Sequence, residues 1–314
     1  MKSSGIGGQA VMEGIMMRHK DQYSIAVRKP DQTIELKVEP YKPVLNCGPL
    51  LKVPFIRGVF SFLDSLVVGI SCLMYSASFF EEDEEEKKSE SLSEEEKKKK
   101  EEKEKKEEKL FMAGTLALSL VLAVGIFFLL PYFLTDLLRS VIASSYIVSL
   151  IEAVLRIVIF LLYLLLISRM KDIQRTFEYH GAEHKCINCI ENGMELTVEN
   201  VLKSSRLHKR CGTSFLFFVV IVSAFLLMLV QSESHLMRIV WRLVLIPVVA
   251  GISYELIRLA GNSDNPVISL LSRPGLALQK LTTREPDAEE AEVAIAAVEA
   301  VFDWRAYLEE NKGD

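Results

Sequence analysis

Several features that would point to an ordinary soluble function are missing from this sequence. Five cysteines occur among 314 residues, and their scattered positions exclude a disulfide framework. No basic stripe carries interleaved aromatics, so we expect no nucleic-acid partner. The first 28 residues lack the continuous apolar core of a secretory signal peptide. We therefore expect reduced thiols, facing the cytoplasm or buried in a bilayer, at Cys47, Cys72, Cys186, Cys189 and Cys211.

Hydrophobic and charged residues are segregated along the chain. Half of the residues are hydrophobic and 25% are charged, and long uncharged runs alternate with dense charged blocks, as in membrane spans joined by polar loops. Four runs each reach or approach the length of about 20 residues that crosses a bilayer: 110–131, 146–167, 214–230 and 240–259. We predict a mainly α-helical, polytopic membrane bundle of about four spans.

Basic residues predict the orientation of these spans. Segment 81–109 contains ten lysines and segment 171–210 contains seven lysines and arginines, whereas the connections on the opposite side carry only Arg139 and Arg238. Positively charged loops stay in the cytoplasm. We expect a multi-pass protein of the bacterial inner membrane, in contact with its lipids, with both termini and the 170–212 loop in the cytoplasm.

Segment 54–80 is apolar but is interrupted by Arg57 and Asp64. A charge in the middle of a bilayer costs roughly 2.5–3.5 kcal/mol. We therefore favour an interfacial or re-entrant helix here, with a fifth span as the alternative.

The remaining segments complete the predicted organisation. Period-two alternation in 23–28 and 33–38, around the turn at Pro30 and Asp31, predicts a small antiparallel hairpin within a cytoplasmic region 1–53. Segment 81–109 is a charged linker without an apolar stripe. Two transmembrane hairpins, 110–169 and 213–260, enclose the polar loop 170–212.

The cytoplasmic C-terminal segment, 261–314, is predicted to contain a helix. It opens at Glu285-Pro-Asp287 and runs to about Tyr307, with Thr283 or Asp287 as its cap. An apolar stripe indicates that it docks on the rest of the cytoplasmic portion; the stripe consists of Val293, Ala296, Ala297, Ala300 and Val301.

The pattern His180-x-x-Glu183-His184 carries the clearest chemistry. On a helix, residues four apart lie one above the other, so both imidazoles face one metal ion. Zinc accepts imidazole ligands and in catalytic sites keeps one position open for water. Glu183 lies on the same side of the helix, where it would polarise that water as general base. The alternative is a polar helix whose histidines bond to backbone or carboxylates.

A zinc site needs a third ligand, and the sequence offers several without choosing. His208 and Cys211 precede the third span on the same side of the membrane, and Glu13 lies in a glycine-rich motif near the start. His235 is predicted on the opposite side and is excluded. Cys186 and Cys189 would project roughly 120–180° away from the histidine face of a continuous helix, so we expect them to be buried thiols without a share in this metal.

Basic and hydroxyl residues before the third span predict an anion site. Thr213 or Ser214 is expected to cap that helix, and Arg210 stands beside them. Free amides at a helix N-terminus favour a lipid phosphate or a substrate carboxylate, although positive-inside anchoring explains the same basic residues. Among charges within spans, we expect Glu255 to pair with Arg258 and Arg156 to be structural.

Four ordered motifs identify a family resemblance. The segments 7–18 (GGQAVMEGIMMR), 180–185 (HGAEHK), 210–215 (RCGTSF) and 251–261 (GISYELIRLAG) resemble the YqhQ-like family of uncharacterised bacterial membrane proteins, which are labelled predicted metal-dependent enzymes. The resemblance covers the chain outside the charged linker and implies a cytoplasmic-membrane location, with a metal at the paired histidines. One departure is Lys209, where the family pattern has proline.

Two functions follow from these observations. The first is a membrane-embedded, metal-binding protein acting as a zinc-dependent hydrolase at the cytoplasmic face. The second is a non-enzymatic scaffold, or an accessory factor in assembly or translocation, that binds a membrane-protein partner.

Overall fold

A computed structural model describes residues 3–43, 53–81, 110–111, 113–230, 234–261 and 265–311, together with the isolated positions 107 and 232. The predicted charged linker, apart from Glu81 and Glu107, lies outside the described residues, as does Cys47. Most of the described chain is helical, with one small sheet near its start.

Four strands form an antiparallel meander in the order β1-β2-β3-β4. They are Gly7–Val11, Gly14–His19, Gln22–Arg28 and Ile34–Pro40. The predicted hairpin corresponds to β3 and β4, which pair from Arg28 opposite Ile34 to Gln22 opposite Pro40. The first hairpin, β1–β2, has a weaker sequence signal because glycine is unfavourable in strands. Gly14 is required there, because a Cβ would overlap the Ala26 carbonyl oxygen.

Ten helices are assigned within the described residues, and we number them in chain order. The longer ones are α1 (Ile56–Glu81), α2 (Ala113–Ser140), α3 (Ser145–Ile167), α4 (Lys171–Glu191), α6 (Gly212–Leu229), α7 (His235–Gly261) and α8 (Pro266–Thr282). The shorter ones are α5 (Val198–Lys203), α9 (Ala288–Glu299) and α10 (Trp304–Glu310). Helix α2 contains a π-helical turn at Gly125–Leu129 and continues past Pro131, the residue near which we predicted its end.

Five of these helices are long and apolar enough to cross a membrane: α1, α2, α3, α6 and α7. Their outward residues are large and apolar, as lipid-facing residues are, and include Leu118, Val121, Leu162 and Phe225. The protein is therefore a membrane protein. The fifth candidate, additional to the four predicted spans, is α1.

Helix α1 begins beside α7 and ends on the sheet. At its start, Arg57 forms a bidentate ion pair with Glu255 (2.7 and 2.5 Å). Further along, the rings of Phe62 and Phe215 lie 5.3 Å apart, and the hydroxyl of Ser76 accepts a hydrogen bond from the Met12 amide (3.1 Å).

The two charged residues that interrupt segment 54–80, Arg57 and Asp64, thus each have a polar partner within the protein. Asp64 is buried and accepts a hydrogen bond from the Tyr41 hydroxyl (3.1 Å). Glu255 does lie 4.0 Å from Arg258, as predicted, but its closer partner is Arg57.

The sheet is packed between two helical layers. Alternate residues of a strand point to opposite faces. Val11 and Met16 therefore pack with Cys72 of α1, whereas Ile15 and Met17 pack with α4 and α9 on the other face. The result is a three-layer α/β/α unit that adjoins the membrane helices.

Arg156 is held by a buried polar network between the membrane helices. It donates to Glu152 (2.9 Å) and to the Phe127 carbonyl (2.9 Å) in the π-helical turn of α2. Arg242 of α7 binds the same carboxylate (2.5 and 3.2 Å). This network connects α2, α3 and α7, which is the structural role that we predicted for Arg156.

The C-terminal segment contains three helices. Of the two residues predicted as the cap of the C-terminal helix, Thr283 and Asp287, the structure has Asp287, which forms a capping box with Glu290. The predicted continuation of this helix to Tyr307 is wrong, because α9 ends at Glu299 and Asp303 caps the separate helix α10. The predicted short apolar segment 276–281 belongs to α8, which begins with Asn265 as its cap and Pro266 in its first turn.

Candidate metal centre

Helix α4 carries the His-x-x-Glu-His pattern in its buried half. Residues 181–187 are buried between the sheet and the segment that joins α8 to α9. The rings of His180 and His184 have their centroids 4.4 Å apart. The two imidazoles therefore face the same side of the helix, as their spacing predicts.

Cys211 meets this pair from the N-terminus of α6. Its Sγ lies 3.3 Å from Nε2 of His180, and one ligand atom from each of His180, His184 and Cys211 lies within 4.8 Å of the others. Around one tetrahedral zinc, with Zn–N of about 2.0–2.1 Å and Zn–S of about 2.3 Å, ligand atoms lie roughly 3.3–3.6 Å apart. Small side-chain movements bring the three donors to that geometry.

Hydrogen bonds orient each donor. Nδ1–H of His180 donates to the Thr282 carbonyl (2.9 Å), and Nδ1–H of His184 donates to the Arg206 carbonyl (2.6 Å). Since a carbonyl only accepts, both rings carry their proton on Nδ1 and keep a lone pair on Nε2. The Thr213 amide donates to the Cys211 sulfur (3.4 Å) and helps to fix its position. This is the supporting shell that metal-ligating histidines usually have.

Glu183 lies between the histidines and strand β1. It is 5% exposed, and burial raises the pKa of its carboxyl, while a hydrogen bond from the Gly8 amide opposes that rise. A Cβ at Gly8 would lie 2.9 Å from Cγ of Glu183, so glycine permits this close approach. The carboxyl is thus held dry against the strand, beside the histidine pair.

His208 lies next to the cluster without joining it. Its ring centroid is 5.6 Å from that of His184, and its Nε2 is 3.7 Å from Glu191. Burial lowers the pKa of His208, which keeps the ring neutral at pH 7. Burial opposes ionisation of Glu191, but hydrogen bonds from His208 and Arg210 lower its pKa to about 2.

Glu13 does not belong to the cluster. Its carboxylate accepts hydrogen bonds from Arg175 (3.1 Å) and Tyr179 (3.1 Å), which precede His180 on α4 by five residues and one residue. Of the five residues that we listed as metal ligands, the structure brings together His180, His184 and Cys211.

The residues of the predicted anion site are already engaged within the protein. Thr213 shares a hydrogen bond with Thr282 (3.0 Å), and Ser214 accepts one from Gln279 (3.0 Å). Cys211, and not Thr213 or Ser214, is the N-cap of α6. Arg210 pairs with Glu191 (2.5 Å).

Cys186 and Cys189 are free thiols in the core between α4, the sheet and α9. Burial raises the pKa of both. Neither belongs to the His180–His184–Cys211 cluster, which agrees with their predicted direction on the helix.

Helix α8 supplies partners that we did not predict. Its last residues place the Thr282 carbonyl on His180, and Gln279 holds the His208 backbone through both its amide and its carbonyl (2.8 Å each). Gly181 makes this approach possible, because a Cβ there would overlap the Arg284 carbonyl oxygen. A glycine between the two motif histidines was the sequence signal for such a close contact.

Comparison with known proteins places the chain near proteins without an assigned activity. A family model described as "Protein of unknown function (DUF1385)" matches residues 53–304. The "Uncharacterized protein YqhQ" of Bacillus subtilis (strain 168) is 38% identical over 307 residues, which cover 98% of this chain and 95% of that protein. No solved structure matches the chain.

Proposed function

Given that this chain belongs to the DUF1385 family, whose description names no activity, we propose that it is a membrane-embedded zinc protein with a hydrolytic centre at the cytoplasmic face. His180, His184 and Cys211 would hold the ion. The convergence of these three donors, two of them with Nδ1 already bonded to a carbonyl, carries the proposal.

The donor set suits zinc better than other common metals. Imidazole and thiolate ligands favour zinc, whereas magnesium and calcium prefer oxygen. Three protein ligands leave a fourth position for water or substrate, where zinc supplies Lewis acidity.

Glu183 is the group that would take up and release a proton. Burial raises the pKa of its carboxyl, which favours the protonated form. The Gly8 amide donates a hydrogen bond to this carboxyl and so helps to orient it.

The arrangement of α1 supports four crossings with both termini in the cytoplasm. Its first turn lies at Gly251 of α7, ten residues or about 15 Å from the end of α7 at Gly261. Its second half packs on the sheet. Helix α1 would therefore enter about half of a hydrocarbon layer of about 30 Å. The lysine-rich 81–109 segment and the basic 171–210 segment support a cytoplasmic location for this side.

Metal content tests the proposed centre. We expect about one zinc per purified chain, lost or sharply reduced in His180→Ala, His184→Ala and Cys211→Ser. His235→Ala is the matched control, because His235 contacts Tyr132 and Asp136, away from the cluster. Absence of stoichiometric zinc from the intact protein would remove the proposal.

Glu183→Gln separates catalysis from a scaffold role. We expect the variant to keep its zinc. We also expect that, unlike the intact gene, the variant gene does not complement a deletion strain. A variant that keeps both zinc and complementation would instead favour the scaffold alternative, with the metal as a structural element that binds a partner.

A further inference from the structure

A second pocket lies on the opposite face of strand β1 from the histidine–cysteine cluster. It is a cavity of about 480 Å³ between the start of the chain, strand β2 and helix α1. Gly7, Gln9, Arg18 and Lys20 line one side, and Ser65 and Val68 of α1 line the other. None of the three donors of the metal centre lines it.

Positive charge dominates the lining of this pocket. Arg18, Lys20 and Arg210 face it, and no Asp or Glu is among its lining residues. The carboxylate of Glu191 that binds Arg210 lies outside the lining. Lys20 forms no salt bridge within the described part of the chain. Because Arg210 is already paired with Glu191, the positive charge offered to a ligand comes from Arg18 and Lys20, and a pocket with these cations and no lining carboxylate is suited to an anion.

The guanidinium of Arg18 is positioned for recognition. Its carbon lies 3.2 Å from the ring centroid of Tyr41, and the Tyr41 hydroxyl is fixed by Asp64 (3.1 Å). Contact with an aromatic ring limits the positions that the guanidinium can take, and a guanidinium is well suited to binding phosphate oxygens.

The glycines at the start of the chain open the pocket. A Cβ at Gly7 would meet no atom within 4 Å, so the space beside this residue is empty, whereas a Cβ at Gly8 would collide with strand β2. The space next to the Gly7 backbone is therefore not occupied by other residues. A ligand that approaches the backbone would use it.

On the membrane topology proposed above, the pocket lies at the depth of the lipid headgroups. Phe62 contacts Phe215 in the first turn of α6, and Ser65 and Val68 follow Phe62 by three and six residues, or about 4.5 and 9 Å along α1. Arg210 stands two residues before α6 begins. The cations thus surround a cavity where a membrane helix leaves the bilayer.

We infer that this pocket binds a phosphate group, presented by the headgroup of an anionic phospholipid or by a soluble phosphorylated ligand. Arg18 provides the guanidinium beside Tyr41, and Lys20 adds a second positive charge. The inference does not depend on the metal centre, because the two sites share no side chain.

The test compares phosphate sources in thermal-shift titrations of the full-length protein. The probes are phosphatidylglycerol nanodiscs, phosphatidylcholine nanodiscs and inorganic phosphate. We expect phosphatidylglycerol or inorganic phosphate to raise the Tm of the wild-type protein, with an apparent affinity at least tenfold weaker in Arg18→Gln. Stabilisation by phosphatidylglycerol alone identifies a lipid headgroup, and stabilisation by inorganic phosphate identifies a soluble ligand.

Two further variants test whether the thermal shift depends on this pocket. Gly7→Leu places a bulky apolar side chain at the lining of the pocket without a change of charge and should weaken the shift. Lys29→Gln removes a cation of the same sheet whose contacts are with Asp31 and Glu35, outside the pocket, and should leave the shift unchanged. An equal shift in wild type and Gly7→Leu, or no shift with any of the probes, would overturn the inference.

Discussion

Substitution of Gly181 by alanine tests how the metal centre is assembled. A Cβ at this position would overlap the Arg284 carbonyl oxygen and lie 3.1 Å from its carbon. The segment from Thr282 to Pro286 must then move away from α4 by on the order of 1 Å, and overpacking of this kind costs about 1–3 kcal/mol. The same movement pulls the Thr282 carbonyl away from His180.

Two effects should therefore appear together in Gly181→Ala. The free energy of unfolding in detergent falls by about 1–3 kcal/mol, and zinc affinity falls about 10–100-fold, the usual effect of losing a supporting hydrogen bond to a ligand. The loss of stability is measured by thermal unfolding, detected with a dye that reacts with the buried cysteines as they become exposed. The zinc affinity is measured by competition with a chelator.

Gly114→Ala serves as the control for Gly181→Ala. A Cβ at Gly114 meets no atom within 4 Å on a lipid-facing helix, so this change should leave both values unaltered or slightly raise stability. If Gly181→Ala has the same stability and the same zinc affinity as the wild-type protein, the close contact of Gly181 with the Arg284 carbonyl does not support the metal centre.

Three other predictions follow from the fold. Glu152→Ala leaves the buried cations of Arg156 and Arg242 without their carboxylate and should lower stability in detergent by about 3–5 kcal/mol; unchanged unfolding would contradict the network. The pKa of Glu191 is lowered to about 2, so its stabilisation is present above about pH 4.5 and is lost as the pH falls towards 2. Glu191→Gln should remove about 2 kcal/mol of this pH-dependent stabilisation, after an allowance for solvent screening. If Tm depends on pH in the same way in Glu191→Gln and in the wild-type protein, the stabilising role of Glu191 is refuted. A cysteine at Val141, which is 83% exposed between α2 and α3, should react with impermeant maleimide on intact cells. A cysteine in the 81–109 linker should not react. The reverse pattern would show that the chain has the opposite orientation in the membrane.

Local patterns in the sequence were sufficient for much of the architecture. Long apolar runs predicted α2, α3, α6 and α7, and period-two alternation predicted the β3–β4 hairpin. Asp287 was recognisable as a helix cap because its side chain and Glu290 form a local pair. Each of these signals lies within a few consecutive residues.

The features that depend on tertiary contacts were not predictable in the same way. Asp64 argued against a span at α1, but its partner Tyr41 lies 23 residues away. The helix break before Trp304 depends on the cap formed by Asp303, which interrupts an otherwise continuous apolar stripe.

The third donor of the site was an open choice for the same reason. His208, Cys211 and Glu13 are equally plausible ligands by residue type, and only packing separates them. Glu191 holds His208, Arg175 holds Glu13, and the N-terminus of α6 brings the Cys211 sulfur to His180. The contribution of α8, through the Thr282 carbonyl, had no signal except the glycine at position 181.

X-ray absorption spectroscopy of the purified protein at the zinc edge tests the central claim most directly. The account predicts one zinc per chain, with one sulfur ligand at about 2.3 Å, nitrogen ligands from two imidazoles at about 2.0–2.1 Å, and loss of the sulfur contribution in Cys211→Ser. A protein without bound zinc, or a zinc shell without sulfur, would contradict it.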